Sequence, residues 1–123
     1  MLKLLFAVCL ISASSMSTAA APGTQCDTFS STDEISAPLT IEEIEREAMA
    51  ELVEWRKLRP GHPNAVFGYA NRWWVSFKSM VQPGDEIIRY STEPSSWARR
   101  SGHKGFALIR SGCIINRFVT VQS

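Results

Sequence analysis

Residues 39–59 read LTIEEIEREAMAELVEWRKLR and carry the strongest local structural signal in the chain. Thr40 and Glu43 form a capping box, and apolar residues occupy the two positions of a hydrophobic staple around it. Apolar residues then recur with the 3.6-residue period of a helix that packs on a core, and this stripe comprises Ile41, Ile44, Ala48, Leu52 and Trp55. This segment therefore predicts a long helix that begins at Ile41 and ends before Pro60.

The C-terminal half predicts a small antiparallel sheet. Residues 86–91 follow a Pro-Gly turn and have the composition of a strand. Residues 106–110 and 113–121 flank the dipeptide Ser111-Gly112, which is typical of a two-residue hairpin turn. The fold class predicted is therefore α+β, with a long N-terminal helix and one or two short helices packed on about three antiparallel strands.

The segment 72–81 fits two patterns. Trp73, Phe77 and Val81 lie on one helical face, whereas Trp73, Val75 and Phe77 also alternate as in a strand. We favour a short helix here. A further short helix is expected after Pro94, because proline suits a first helical turn.

Residues 1–20 have the features of a cleavable signal peptide: Lys3, an apolar run over residues 4–11, and small residues after it. That run is far shorter than the roughly 20 residues that span a bilayer. We therefore expect an exported protein, periplasmic or secreted, without a permanent membrane anchor. Residues 21–38 predict an extended, poorly ordered arm, and residues 39–123 a single domain.

Cys26 and Cys113 are the two cysteines that remain once the predicted leader is removed. Disulfides persist in the compartments to which exported proteins are delivered. The sequence therefore predicts a disulfide between Cys26 and Cys113, and the alternative is a pair of independent buried thiols.

The residues with catalytic potential are few. Only two histidines are present, His62 and His103, and neither has the spacing of a metal ligand. Phosphate-binding loops and nucleophile elbows are absent from the sequence, and no cofactor is predicted. The pattern favours a protein without catalytic activity, and it leaves open a small hydrolase-like enzyme with His103 as its general base.

Trp73 and Trp74 are the candidates for ligand stacking. Adjacent residues on a helix point about 100° apart, so one of the two indoles is expected to be partly exposed. Indole rings stack on sugars or anchor protein partners, although core packing explains most tryptophans. A carbohydrate-binding module that uses Trp73 or Trp74 is therefore an alternative function.

Charge is divided unevenly along the chain. Residues 21–57 contain nine acidic and three basic residues, whereas residues 58–123 contain three acidic and nine basic residues. This balance argues against nucleic-acid binding, which requires a surplus of positive charge. The acidic ridge of Glu43, Glu47 and Glu51 is expected to face a cationic partner or the basic half of the chain. The candidates for contact with an anionic partner are Arg99, Arg100 and Lys104.

A pattern in the C-terminal half resembles one found in small uncharacterised bacterial proteins. It comprises residues 83–87 (PGDEI), Ser91, Trp97, residues 105–112 (GFALIRSG) and residues 119–120 (VT). Ile88 stands where the group has an aromatic residue. The resemblance implies a unit of strand, helix and hairpin, and it implies no catalytic activity. The lack of a catalytic pattern, the divided charge and the surplus of tryptophan predict a small exported binding or interaction module, with a protein or an envelope polysaccharide as its partner.

Overall fold

The computed structural model describes residues 25–123, and this part of the chain is an α+β domain with a four-stranded antiparallel sheet. The predicted signal peptide, residues 1–20, lies outside the described residues. Within residues 25–123 no helix is long and apolar enough to cross a membrane. The elements in chain order are β1 (Glu34–Leu39), α1 (Ile41–Leu58), a 3-10 turn (Gly68–Ala70), α2 (Asn71–Ser79), β2 (Glu86–Ser91), α3 (Pro94–Ala98), β3 (His103–Arg110) and β4 (Cys113–Gln122).

Helix α1 begins where its capping box predicts. The Thr40 side chain accepts a hydrogen bond of 3.1 Å from the backbone N–H of Glu43, which satisfies one of the unpaired amides of the first turn. Ile44, Ala48 and Leu52 are buried along one face of the helix. The apolar stripe read from the sequence is thus the face that packs on the sheet.

Helix α2 confirms the helical interpretation of the ambiguous segment. Trp74 and Phe77 are buried three positions apart, as a helix requires, whereas Trp73 and Val75 point outward. Trp74 and Phe77 pack with Ile44 of α1 and with Phe106 and other residues of the sheet in the main core cluster. This core lies between the helices and one face of the sheet.

The sheet has one strand more than the sequence predicted. Its order is β1-β2-β3-β4, and β1 lies inside the segment for which an arm was expected, so the long helix is not the first element of the domain. Strand β1 contains Pro38 and a bulge between Ile35 and Pro38, and it pairs with β2 along that irregular register. Because pairing with β2 stabilises this strand, its own composition does not identify it.

The arm that precedes β1 crosses the second face of the sheet. The predicted disulfide joins Cys26 to Cys113 at the start of β4. Phe29 packs against Tyr90 with a centroid separation of 5.7 Å, and a carboxylate oxygen of Asp33 accepts a hydrogen bond from the residue before α3 at 3.0 Å. The arm therefore covers a second, smaller core on the face opposite the helices.

Candidate functional site

A cleft of about 790 Å³ lies between α1 and the sheet. Its floor is the helix-side face of the sheet, where the strand register places Arg89 and Ser91 of β2 beside Phe106 and Lys104 of β3. Helix α2 fills the other half of this face with Trp74 and other core residues, so the remaining half stays open. The volume lies within the range typical of small-ligand sites.

An aromatic wall closes one end of the cleft. It consists of Trp55 from α1, with His62 and Tyr69 from the connection to α2. The His62 ring lies nearly parallel to Trp55 at 6.5 Å and meets Tyr69 edge-on at 4.9 Å. Trp55 remains 47% exposed and Tyr69 71% exposed. Both rings therefore offer a face to a ligand in the cleft.

The position of His62 in that wall depends on Gly68. A methyl group at Gly68 would overlap the His62 imidazole, and Gly68 has a φ of +55°, which L side chains rarely adopt. The carbonyl of His62 also accepts a hydrogen bond of 3.2 Å from the Arg56 side chain. The connection between α1 and α2 is thus held against α1 by specific contacts.

Charged groups of both signs line the cleft. Arg89 forms an ion pair with Glu47 of α1, and its guanidinium lies 5.6 Å from the ring centroid of Phe106. Lys104 and Glu51 also line the cleft, and neither forms an ion pair with another residue of the described part. In all, three acidic and three basic residues face the cavity: Glu34, Glu47, Glu51, Arg59, Arg89 and Lys104.

The acidic ridge does not act as one surface. Glu43 belongs to the capping box, where its carboxylate accepts a hydrogen bond of 3.2 Å from the Thr40 hydroxyl. Glu47 contacts Arg89, a residue of the basic half of the chain, while Glu51 lines the cleft. The expected compensation within the molecule is thus present at Glu47.

Glu45, which sequence reasoning passed over, has the most extensive contacts of the helix carboxylates. It accepts hydrogen bonds from the Trp74 indole N–H at 3.0 Å and from the Lys78 ammonium at 3.1 Å. The pKa of Glu45 is lowered mainly by the hydrogen bond from Trp74. Partial burial raises this pKa, and the hydrogen bond and charge of Lys78 lower it further. The i, i+4 spacing along α1 gives no sign of this pairing, because both partners come from α2.

The two adjacent tryptophans divide as expected, one buried and one exposed. Trp74 is fully buried, so it offers no surface for stacking, and its proposed role in binding is corrected to one in the core. Trp73 is 54% exposed, and the Arg72 guanidinium lies 4.1 Å from its ring centroid. Trp73 lies outside the cleft, against the edge of β4.

Arg99 and Arg100 lie at the end of α3 and do not line the cleft. Arg99 forms an ion pair of 3.3 Å with Glu93, and Arg100 has a φ of 58° in the turn that ends the helix. Lys104 is the nearby basic residue that reaches the cleft. The structure therefore separates Arg99 and Arg100 from the cavity, whereas Lys104 lines it.

His103 also lies outside the cleft lining. Its Nδ1 forms a hydrogen bond of 2.7 Å with the Tyr90 hydroxyl, and burial raises the pKa of Tyr90. Within residues 25–123, no three side chains of His, Cys, Asp or Glu come together as a metal site. The imidazole thus has a phenol partner in the structure, not a carboxylate.

Sequence reasoning missed Trp55, Tyr69 and Arg89 as site residues. Trp55 was assigned to the buried stripe of α1, but it falls on the last turns, where the helix extends past the core. A large aromatic residue in a connection rich in Pro, Gly and Asn is the sequence feature that could have identified Tyr69 as a site residue.

Comparisons of the chain with protein-family models, with curated proteins and with solved structures found no significant match.

Proposed function

We propose that the protein is an exported, non-catalytic binding module and that the cleft between α1 and the sheet is its ligand site. The observation that carries this proposal is a cavity of about 790 Å³ in which Trp55 and Tyr69 expose their rings beside ionic groups of both signs. Apolar contact area combined with a few oriented polar groups is the usual composition of a ligand pocket.

The ligand class we propose is a polyhydroxylated chain of low net charge, namely an oligosaccharide of the cell envelope. Trp55 and Tyr69 offer flat apolar surface together with polar edges, which suits a sugar ring. Lys104, Glu51 and Thr120 supply donors and acceptors for hydroxyl groups. The equal number of acidic and basic residues in the cleft gives a polyanion or a polycation no electrostatic advantage.

Two further observations support export. Residues 1–20 have the pattern of a signal peptide. The Cys26–Cys113 disulfide suits an oxidising compartment, because cytosolic thiols are kept reduced. An envelope ligand fits the compartment that these features favour.

A hydrolase that uses His103 has weaker support. A general base needs a pocket in which substrate reaches it, and His103 does not line the cleft. The hydrogen bond to Tyr90 orients the imidazole and holds it on the second face of the sheet. We therefore assign His103 a structural role within this proposal.

Isothermal titration calorimetry with N-acetylglucosamine oligosaccharides and solubilised peptidoglycan fragments tests the proposal. We expect saturable binding to at least one of these probes, and a loss of about tenfold or more in affinity for Trp55→Ala and for Tyr69→Ala. Trp73→Ala is the matched control, because it removes an indole of similar exposure outside the cleft. Equal losses in Trp55→Ala and Trp73→Ala, or no binding to either probe, would overturn the assignment.

A further inference from the structure

The charged groups of the cleft fall into two sets. Glu47 and Arg89 pair with each other across the space between α1 and β2. Two acidic and two basic residues remain, and within residues 25–123 none of these four forms an ion pair. They are Glu34 of β1, Glu51 of α1, Arg59 at the end of α1, and Lys104 of β3. The cleft therefore presents charges of both signs that the described part of the chain does not pair.

Two of these four residues lie in one row across the floor of the cleft. Glu34 of β1 pairs in register with Ser91 of β2, and Ser91 pairs in register with Lys104 of β3. All three residues line the cleft. Neighbouring strands lie about 4.8 Å apart, so the backbones of Glu34 and Lys104 are roughly 10 Å apart, with Ser91 between them. The floor thus carries a carboxylate, a hydroxyl and an ammonium group in that order.

The strand register keeps Glu34 and Lys104 from compensating each other. Opposite charges stabilise a sheet when they are direct cross-strand neighbours. The cross-strand neighbours of Lys104 are Ser91 and Val121, and both are uncharged. Glu34 lies on the edge strand β1, where Ser91 is its neighbour. Both charged side chains are therefore open to a ligand.

The signs of the charges favour one kind of ligand. Three acidic and three basic residues line the cleft, so their charges cancel. A ligand with charges of a single sign is attracted by half of this set and repelled by the other half, whereas a zwitterion can place each of its charges beside an opposite one. Glu51 and Arg59 repeat the pattern on the α1 side, where the Arg59 guanidinium lies 6.0 Å from the ring centroid of Trp55. Electrostatic complementarity thus favours a ligand that carries both charges.

We propose that the glycan bound in the cleft is zwitterionic, with an ammonium group that pairs with Glu34 and a carboxylate that pairs with Lys104. The row on the floor sets the separation of these two ligand groups at roughly 10 Å. Such groups occur on a glycan that keeps a short peptide substituent, as in a peptidoglycan fragment with its stem peptide. This inference rests on the proposed function, because the sugar rings of the same ligand stack on Trp55 and Tyr69.

Calorimetric titration of matched ligands tests the charge requirement. The probe is a peptidoglycan disaccharide with a lysine-type stem peptide that is amidated at its glutamate, so the probe has one free ammonium group and one terminal carboxylate. Its two controls are the same molecule with the ammonium group acetylated and the same molecule with the terminal carboxylate amidated. We expect each control to bind about fivefold more weakly than the probe, which is the effect of one ion pair that solvent partly screens.

Two variants assign the charges of the ligand to residues. Lys104→Gln should weaken binding of the probe about fivefold and leave the affinity for the amidated control unchanged, because that control lacks the group that Lys104 pairs with. Glu34→Gln should weaken the probe and leave the acetylated control unchanged for the same reason. Glu42→Gln and Arg46→Gln are the matched control variants, since both residues are exposed on α1 outside the cleft, and neither variant should alter the three affinities.

The outcomes distinguish this inference from the proposed function. Equal affinities for the probe and its controls would overturn the zwitterionic ligand, as would equal losses of the probe and the amidated control in Lys104→Gln, or binding of N-acetylglucosamine oligosaccharides alone. The cleft would remain the ligand site in each of these cases if Trp55→Ala still weakened the bound molecules about tenfold. Absence of binding by every one of these molecules would overturn both proposals.

Discussion

Removal of the disulfide is the perturbation whose cost the structure allows us to estimate. The double variant Cys26→Ser/Cys113→Ser leaves no unpaired thiol at either position. The bond closes a loop with a sequence separation of 87 residues. In the chain-entropy description, a loop of this length restricts the unfolded state by roughly 4 to 5 kcal/mol at 25 °C. That is close to the whole stability of a small domain, which is about 5 to 15 kcal/mol.

The arm should stay in place without the bond, because other contacts also hold it, so the folded state gains little of the freedom that the unfolded chain gains. Phe29 stays packed on Tyr90, and Arg117 pairs with Asp27 at 3.2 Å. We therefore expect the free energy of unfolding to fall by about 3 to 4 kcal/mol. The loss should appear as a lower urea midpoint in a tryptophan fluorescence transition.

The matched control is the unchanged protein with and without reductant. Reductant should lower its midpoint to that of the double variant, and it should leave the double variant unaffected. A loss below about 0.5 kcal/mol, the range of an ordinary surface substitution, would refute the reasoning that the bond constrains the unfolded chain.

Three further predictions concern the fold. Gly105→Ala should lower the free energy of unfolding by about 3 kcal/mol or more, because a methyl group there would overlap a backbone carbonyl of β4. The control Gly61→Ala has open space around it and should change the urea midpoint little. Thr40→Ala should cost about 1 kcal/mol in urea unfolding, because it removes the cap of α1, and an unchanged midpoint would contradict that role. The Trp74 hydrogen bond lowers the pKa of Glu45 in the folded protein. The ionised Glu45 therefore stabilises the fold above its unfolded pKa of about 4.3. This stabilisation disappears as pH falls through the lower pKa of the folded state. Glu45→Gln should therefore reduce the loss of stability on acidification, measured as urea midpoints over a pH series, and an identical pH profile would exclude the coupling.

The parts of the fold that the sequence predicts are those with local signals. Residues 39–59 contain a cap, a staple and a helical stripe within one segment, and α1 begins at the predicted residue. Strand β1 has no comparable signal, because its register with β2 is interrupted at Pro38 and its stability comes from that partner. Local patterns identified the helices, and long-range pairing produced the strand that was missed.

The site was harder to predict, for a related reason. Trp55 and Tyr69 are separated in sequence and meet only because the connection between α1 and α2 folds back around His62. Charge counts indicated that the acidic and basic halves attract each other, and the pair of Glu47 and Arg89 is one instance. Helix α2 covers only part of the sheet, and the ionic groups on the uncovered part face the cavity. No residue spacing in the sequence specifies how much of the sheet α2 covers.

The proposal that the cleft is the ligand site can be tested residue by residue with backbone and indole NMR. A titration of ¹⁵N-labelled protein with N-acetylglucosamine oligosaccharides or peptidoglycan fragments should shift the Trp55 indole N–H and the amides of Tyr69, Lys104 and Thr120 with one saturation curve. These residues come from separate segments of the chain, and all of them line the cleft. Shifts confined to Arg99 and Arg100, or signals that do not saturate, would contradict the assignment of the cleft as the binding site.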